Sequence, residues 1–148
     1  MLKIYLDTCC YNRPYDDHSV MRNELEARAK VHIQTLIIER RFLLATSYVL
    51  LYENSRNPYP LRRMNIEDFI TKYSSIYIGL EAADRIYPLV AQIVKTGIKT
   101  EDAFHIACAL YAECDYFLSV DNRVLKYKTN SMYLINHLEF FKMEVEQP

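Results

Sequence analysis

Short apolar runs alternate with longer helical patterns along the whole chain, and this alternation constrains the fold more than any other feature of the sequence. Helices that lie between strands act as crossover connections, which favours a parallel sheet covered on both faces. We therefore predict an α/β fold, a three-layer α/β/α sandwich around a mostly parallel sheet of about four to five short strands. The length of 148 residues fits one domain, residues 1–148.

The apolar runs that we predict to be strands share a length of five or six residues. They are residues 2–6, 42–47, 75–79, 115–120 and 131–135.

Helical patterns occupy most of the chain between these runs, whereas residues 8–19 read as a loop punctuated by Pro14. The first helix is predicted over 19–41, with its apolar face formed by Leu25, Ala29, Ile33, Leu36 and Ile37. A short helix carries Val49, Leu50 and Glu53, and Asn65 is the predicted cap of a helix that runs to Tyr73.

The later helical patterns are bounded by turn and capping residues. Residues 80–97 form a helix that Gly97 ends and that Pro88 kinks or divides, with Ile86, Val90, Ile93 and Val94 facing inward. Thr100 is the predicted cap of a helix over 100–113, and Asn136 with Glu139 forms a capping box for the last helix.

Acidic side chains recur where these strands end and helices begin. Asp7 directly follows the first strand, and Asp121 follows the fourth. Asp102 lies in the first turn of a helix about 20 Å long that runs back along the sheet, so it reaches the same edge. Glu53 lies about two turns into the helix after the second strand, close enough for its side chain to bend back. Asp115 falls at the opposite edge, where we interpret it as a turn residue.

Four carboxylates at one edge repel each other. The repulsion between two of them 4 Å apart is about 4 kcal/mol at an effective dielectric constant near 20. Protonation of some of them, or a bound cation, relieves that repulsion. An all-oxygen site suits a hard cation such as Mg²⁺ or Mn²⁺. One or two such ions promote hydrolysis of phosphodiester bonds, which is the reaction that the arrangement suits best.

Each of these acids also has a purely structural explanation. Asp102 complements a helix dipole, Asp121 caps the following turn, and Asp7 forms a turn after a strand. Glu53 would then lie on a solvated helix face. Their coincidence at one edge favours the functional interpretation, whereas His105 is a weak metal or base candidate that we expect to be partly buried.

Composition excludes several function classes. The chain has two glycines, too few for the glycine-rich loops that bind dinucleotides or nucleoside triphosphates. The net charge of −1 gives no general sign of a nucleic-acid binder, although a local basic patch is compatible with it. No apolar run approaches the roughly 20 residues of a membrane span, and no export signal is recognisable. We expect a cytoplasmic protein whose four cysteines are reduced.

Four segments in the order YLDT, SYVLLYE, TEDAFHIACAL and DYFLSVD resemble the PIN-domain family, and YLINHLEFF resembles the closing strand and helix of that family. The resemblance covers residues 2–143. It implies a Mg²⁺- or Mn²⁺-dependent endoribonuclease that acts on single-stranded RNA. Many small members are VapC-type toxins of toxin–antitoxin pairs, are usually homodimers and are inhibited by an antitoxin protein.

The resemblance also implies residue roles. The catalytic and metal-binding acids would be Asp7, Glu53, Asp102 and Asp121. Thr8 and Ser119 match small polar positions that support the acids. Among the arginines, Arg13 is the one we predict to contact RNA phosphate, since its loop leaves the same edge. Arg56, Arg62 and Arg63 are interpreted as surface residues.

Two other functions stay open at this stage. One is a catalytically silent PIN-like module that binds RNA or a protein partner. The other is a nuclease or phosphatase that acts on DNA or on other phosphoesters.

Overall fold

The computed structural model describes residues 1–12 and 21–146, and these form an α/β sandwich around a five-stranded sheet. The strands are β1 (Lys3–Leu6), β2 (Leu43–Ser47), β3 (Ile76–Ile78), β4 (Tyr116–Leu118) and β5 (Tyr133–Ile135). The helices are α1 (Thr8–Asn12), α2 (Met21–Ile38), α3 (Tyr48–Ser55), α4 (Pro60–Tyr73), α5 (Ala83–Val94), α6 (Thr100–Tyr111) and α7 (His137–Glu146).

The sheet has the strand order β3-β2-β1-β4-β5, and every neighbouring pair is parallel. From β1 the chain adds β2 and β3 on one side of the sheet, and then β4 and β5 on the other side. Right-handed crossovers in these two directions place helices on both faces. Helix α2 packs against α7, and α5 packs against α6. The predicted three-layer sandwich with a parallel sheet of four to five strands is confirmed.

The core fills the space on both faces of the central strand β1 and of its neighbour β4. Ile4, Tyr5 and Leu6 of β1 are fully buried, as parallel strands covered on both faces require. The ring of Tyr5 stacks on that of Phe117 in β4, with centroids 5.5 Å apart. The four cysteines are all free thiols. Within the described ranges, no helix combines the length and the apolar character that crossing a membrane requires.

The buried face of α2 differs from the prediction, because it includes two charged residues while Leu25 is 45% exposed. Glu26 is fully buried, and its carboxylate accepts hydrogen bonds from Arg22 and Asn136. Lys30 is equally buried, but its ammonium lies over the rings of Tyr11 and Phe69. Burial lowers the pKa of Lys30 to about 7. Cross-element partners thus decide which side chains of α2 face inward.

Several predicted helix boundaries are wrong. Residues 8–12 of the predicted loop form helix α1. Helix α4 begins at Pro60 rather than at Asn65, because the fixed backbone of proline suits a first helical position. Lys99 and not Thr100 is the cap of α6.

The predicted helix over 80–97 is also different in detail. Helix α5 continues through Pro88 without dividing, since one proline removes a single backbone hydrogen bond. Val94 is 37% exposed, contrary to its predicted inward position. Gly97 follows the helix with a φ of 102°, a left-handed conformation that glycine adopts readily and that ends the helical path as predicted.

Candidate active site

The strand order reverses beside β1, and this point is where the predicted site residues gather. Leu6 of β1 is in register with Leu118 of β4, so the residues that follow the two strands emerge side by side. In open α/β sheets, the crevice beyond the carboxyl ends of strands at such a reversal is the usual position of a ligand site. Asp7 follows β1 there, and Ser119 follows β4.

Asp7 is 5% exposed and is held by donors from both strands' ends. Its Oδ1 atom accepts a hydrogen bond from the backbone N–H of Thr8 at 2.8 Å. Its Oδ2 atom accepts one from the hydroxyl of Ser119 at 3.0 Å and contacts the thiol of Cys9 at 3.6 Å. The hydroxyl of Ser119 also accepts the backbone N–H of Asp121 at 3.1 Å. Ser119 therefore supports the side chain of the first acid and the backbone of the last.

His105 lies at the centre of the acids and is 1% exposed, more deeply buried than we predicted. Its Nε2 atom is 3.0 Å from a carboxylate oxygen of Glu53 and 3.8 Å from Oδ1 of Asp7. Burial acts to lower the pKa of His105, but the hydrogen bond to Glu53 and the charge of Asp7 outweigh it and raise the pKa above its ordinary value. The imidazolium form is accordingly favoured between the two carboxylates.

Glu53 lies in the second turn of α3, and its side chain bends back to reach the site, as we predicted. Besides His105, it accepts a hydrogen bond of 2.5 Å from the hydroxyl of Thr8. Burial acts to raise the pKa of Glu53, but the hydrogen bonds from His105 and Thr8 and the charge of His105 lower it overall. Glu53 is thus an ionised partner of His105 and not a solvated surface acid.

A buried hydroxyl chain fixes the other side of the His105 ring. The Nδ1 atom lies 2.7 Å from the hydroxyl of Tyr5, which lies 2.7 Å from the hydroxyl of Ser47. Ser47 also accepts the backbone N–H of Leu50 as the cap of α3. When both ring nitrogens are protonated, Nδ1 donates to Tyr5 and Tyr5 donates to Ser47. We call the side chains of Asp7, Glu53 and His105 the inner cluster. Hydrogen bonds from β1, from α1 and from Ser119 after β4 hold this cluster in place.

Asp102 and Asp121, which we call the outer pair, are less constrained. Within the described part of the chain, the carboxylate of Asp102 has no hydrogen-bond or ion-pair partner. Partial burial, together with the negative charges of Asp7 and Asp121, raises the pKa of Asp102. The charge of His105 acts in the opposite direction but does not cancel these effects.

Asp121 is turned towards a cation on its own loop. Its Oδ1 atom accepts the backbone N–H of Arg123 at 2.9 Å, and its Oδ2 atom lies 3.0 Å from the guanidinium of Arg123. These hydrogen bonds lower the pKa of Asp121. The guanidinium side chain is 70% exposed, so the pair is of the surface type and contributes little stability.

The donor chemistry of the four acids suits a hard divalent cation. Burial and the nearby charges of Asp7 and Asp121 both raise the pKa of Asp102. Among the residues that the structure describes, however, no group of three or more acidic, histidine or cysteine side chains is arranged to hold a metal ion. The reason is that two of the four acids already have a cationic partner, since Glu53 faces His105 and Asp121 faces Arg123. A cation bound by Asp7, Asp102 and Asp121 would require Asp121 to exchange Arg123 for the metal.

The structure brings together most of the predicted site residues. Asp7, Thr8, Glu53 and Ser119 are linked by direct hydrogen bonds. Asp121 joins them through its backbone N–H to Ser119, whereas Asp102 is coupled to the others through its charge. The predicted RNA contact, Arg13, lies outside the described residues.

Sequence reasoning missed the central role of His105 and the support from Tyr5 and Ser47. One signal was available, because His105 lies three residues after Asp102 and so shares a face of α6 with it.

Comparison with solved structures finds a likeness to a chain in the crystal structure of VapBC2 from Rickettsia felis bound to a DNA fragment from their promoter. The TM-score is 0.55, with 14% sequence identity, and the match covers 91% of this chain and 98% of that chain. No protein-family model and no curated protein matches the sequence. At this identity the likeness concerns the fold, which is a PIN-like three-layer sandwich.

Proposed function

We propose that the protein is a divalent-metal-dependent endoribonuclease that hydrolyses phosphodiester bonds in single-stranded RNA. The observation that carries this proposal is the convergence of Asp7, Glu53, Asp102 and Asp121 at the edge where β1 and β4 end. The likeness in fold to a chain of a VapBC2 complex supports it.

In this proposal, Asp7, Asp102 and Asp121 would hold Mg²⁺ or Mn²⁺, with Glu53 completing the acidic cluster. The bound ion would neutralise the carboxylates and stabilise the negative charge that develops on the phosphate. Thr8 and Ser119 orient Glu53 and Asp7 through the hydrogen bonds described above.

The biological setting that we propose follows the same comparison. The neighbour's structure is of a VapBC2 complex, which supports a role for this chain as the toxin of a toxin–antitoxin pair with an antitoxin protein as its partner. A homodimer and a cytoplasmic location belong to the same proposal.

Cleavage assays with single-stranded RNA, single-stranded DNA and a generic phosphodiester test this function. We expect RNA cleavage in Mg²⁺ or Mn²⁺ that EDTA abolishes and that Asp7→Asn and Asp102→Asn reduce on the order of 10²–10³-fold, as for other losses of transition-state charge stabilisation. Asp68→Asn on the exposed face of α4 is the matched control and should retain activity. RNA cleavage that persists in EDTA and in both site variants would exclude the metal mechanism.

A second candidate is a catalytically silent module that binds RNA or a protein partner. The partners of Glu53 and Asp121 favour it, because these carboxylates face His105 and Arg123 and, among the described residues, no group of three or more such side chains is arranged to hold a metal ion. It predicts retention of RNA without cleavage in either metal, and the same assays separate the two candidates.

A further inference from the structure

A basic cleft of about 400 Å³ lies immediately beside the acidic site. Asp102 and Arg123 line it on the side of the acids. The basic cleft is otherwise defined here by Lys99, Lys126, Tyr127 and Lys128. A chain with a net charge of −1 thus concentrates four cations around one concavity next to its carboxylates.

The cations of the basic cleft are available to a ligand. Lys99, Lys126 and Lys128 are exposed. Lys126 and Lys128 make no hydrogen bond or ion pair with any part of the chain that the structure describes, and Lys99 acts only at a distance on the carboxylate of Asp121. Unneutralised lysines that face one cavity repel each other, so an anion in the cavity would stabilise them.

Ordered backbone presents these side chains. Lys126 ends a 3₁₀ turn whose first residue, Val124, is fully buried and donates its backbone N–H to the carbonyl of Asp121. Tyr127 is half-buried against the core, and Lys128 directly follows it in the chain. Across the cleft, Lys99 is the cap of the twelve-residue helix α6. The spacing of the lysines is therefore set by the fold rather than by a loose terminus.

We propose that the basic cleft binds the sugar–phosphate backbone of single-stranded RNA next to the phosphodiester that reaches the acidic site, an inference that rests on the proposed function. Lys126 and Lys128 contact phosphates, and Lys99 contacts the phosphate nearest the acids. The ring of Tyr127 offers a surface on which a base can stack, as aromatic residues do in sequence-tolerant binding of single strands. A single strand suits the site because its unpaired bases are free to stack on Tyr127 while its phosphates follow the lysines.

Equilibrium binding in EDTA tests the assignment independently of cleavage. The probe is a fluorescein-labelled single-stranded RNA of mixed sequence, followed by anisotropy over a range of salt concentrations. The double variant Lys126→Ala/Lys128→Ala should bind about tenfold more weakly at low salt. Its plot of log affinity against log salt should be shallower by roughly 1.4, or about 0.7 for each lost phosphate contact. The control, Lys72→Ala/Lys142→Ala, removes two exposed lysines from α4 and α7 and should match the wild type.

Cleavage kinetics provide a second readout. If RNA is cleaved, the Lys126/Lys128 double variant should raise KM with kcat nearly unchanged, since it removes binding that is equal in ground and transition states. RNA that is bound with the predicted salt dependence but is not cut would sustain the basic cleft and reject the nuclease. RNA that is cut equally well by the double variant and its control would support the nuclease and reject the basic cleft.

Three further results would overturn the assignment of the basic cleft. One is a wild-type protein that does not bind the RNA probe at all. Another is a double variant whose affinity and salt dependence equal those of the control. The third is displacement of the RNA by poly-glutamate as effective as displacement by unlabelled RNA, which would indicate a site for acidic peptides.

Discussion

The inner cluster and the outer pair carry the same kind of carboxylate but are held very differently. Asp7 and Glu53 of the inner cluster receive hydrogen bonds from Thr8, from Ser119 and from the buried ring of His105. In the outer pair, Asp102 lacks such a partner among the described residues, and Asp121 is held by an exposed arginine of its own loop.

This difference indicates that the inner cluster stabilises the fold, whereas the outer pair is free to respond to a ligand. The inner cluster joins β1, α3 and α6 through hydrogen bonds that stabilise the folded chain. The outer pair lies at the rim, where partial burial, together with the negative charges of Asp7 and Asp121, raises the pKa of Asp102. We therefore expect changes in the inner cluster to affect stability most, and changes in the outer pair to affect cation binding most.

The largest stability effect should come from His105→Phe. The substitution keeps a ring of similar size but leaves the hydroxyl of Tyr5 and the carboxylate of Glu53 without their partner. Loss of one member of a buried, hydrogen-bonded group of this kind costs about 3 kcal/mol of the free energy of unfolding. Urea unfolding measures it, with Asp102→Asn as the outer-pair control, for which we expect a change below about 1 kcal/mol. Equal losses in the two variants would remove the distinction.

The pH dependence of this loss has a definite sign. His105 has a raised pKa, so its contribution is complete below its unfolded pKa and is lost as pH rises through the folded value. Glu53 has a lowered pKa, so its contribution is present above its unfolded pKa and is lost as pH falls through the folded value. The stability difference between wild type and His105→Phe should therefore be greatest between the ordinary pKa values of 4.5 and 6.5.

The contrast also shows what sequence reasoning can reach. Asp7 and Asp121 could be placed at one edge because each follows a predicted parallel strand, and Asp102 because its helix runs back along the sheet to the same edge. The five parallel strands follow from the same pattern. The resemblance to PIN domains pointed to the same acids.

Other features depend on contacts between distant segments, which no local pattern encodes. The position of His105 is set by Tyr5, Thr8 and Glu53 together, from three elements that meet only in the folded chain. The burial of Glu26 likewise depends on Asn136, which directly precedes α7 and donates a hydrogen bond to the Glu26 carboxylate. The basic cleft forms because the chain after β4 brings Lys126 and Lys128 opposite Lys99 at the start of α6.

The smallest effect should come from Arg123→Ala, which releases Asp121 without altering any acid. Because the arginine competes with a cation for Asp121, its removal should strengthen Mn²⁺ binding by a few-fold, about 2–5-fold for a surface pair of this kind. Titration of free Mn²⁺ by electron paramagnetic resonance measures the change. Weaker binding in this variant would mean that Arg123 supports the site rather than competing for it.

Calorimetric titration of the wild-type protein with Mn²⁺ tests the central claim most directly, in parallel with Asp102→Asn and the Asp68→Asn control. We predict saturable Mn²⁺ binding by the wild type and the control, and an affinity lower by at least about tenfold in Asp102→Asn, because one carboxylate less attracts the ion. Wild-type protein that binds no Mn²⁺, or an Asp102→Asn variant that binds it as tightly as the wild type, would contradict a metal site at the acidic edge of the sheet.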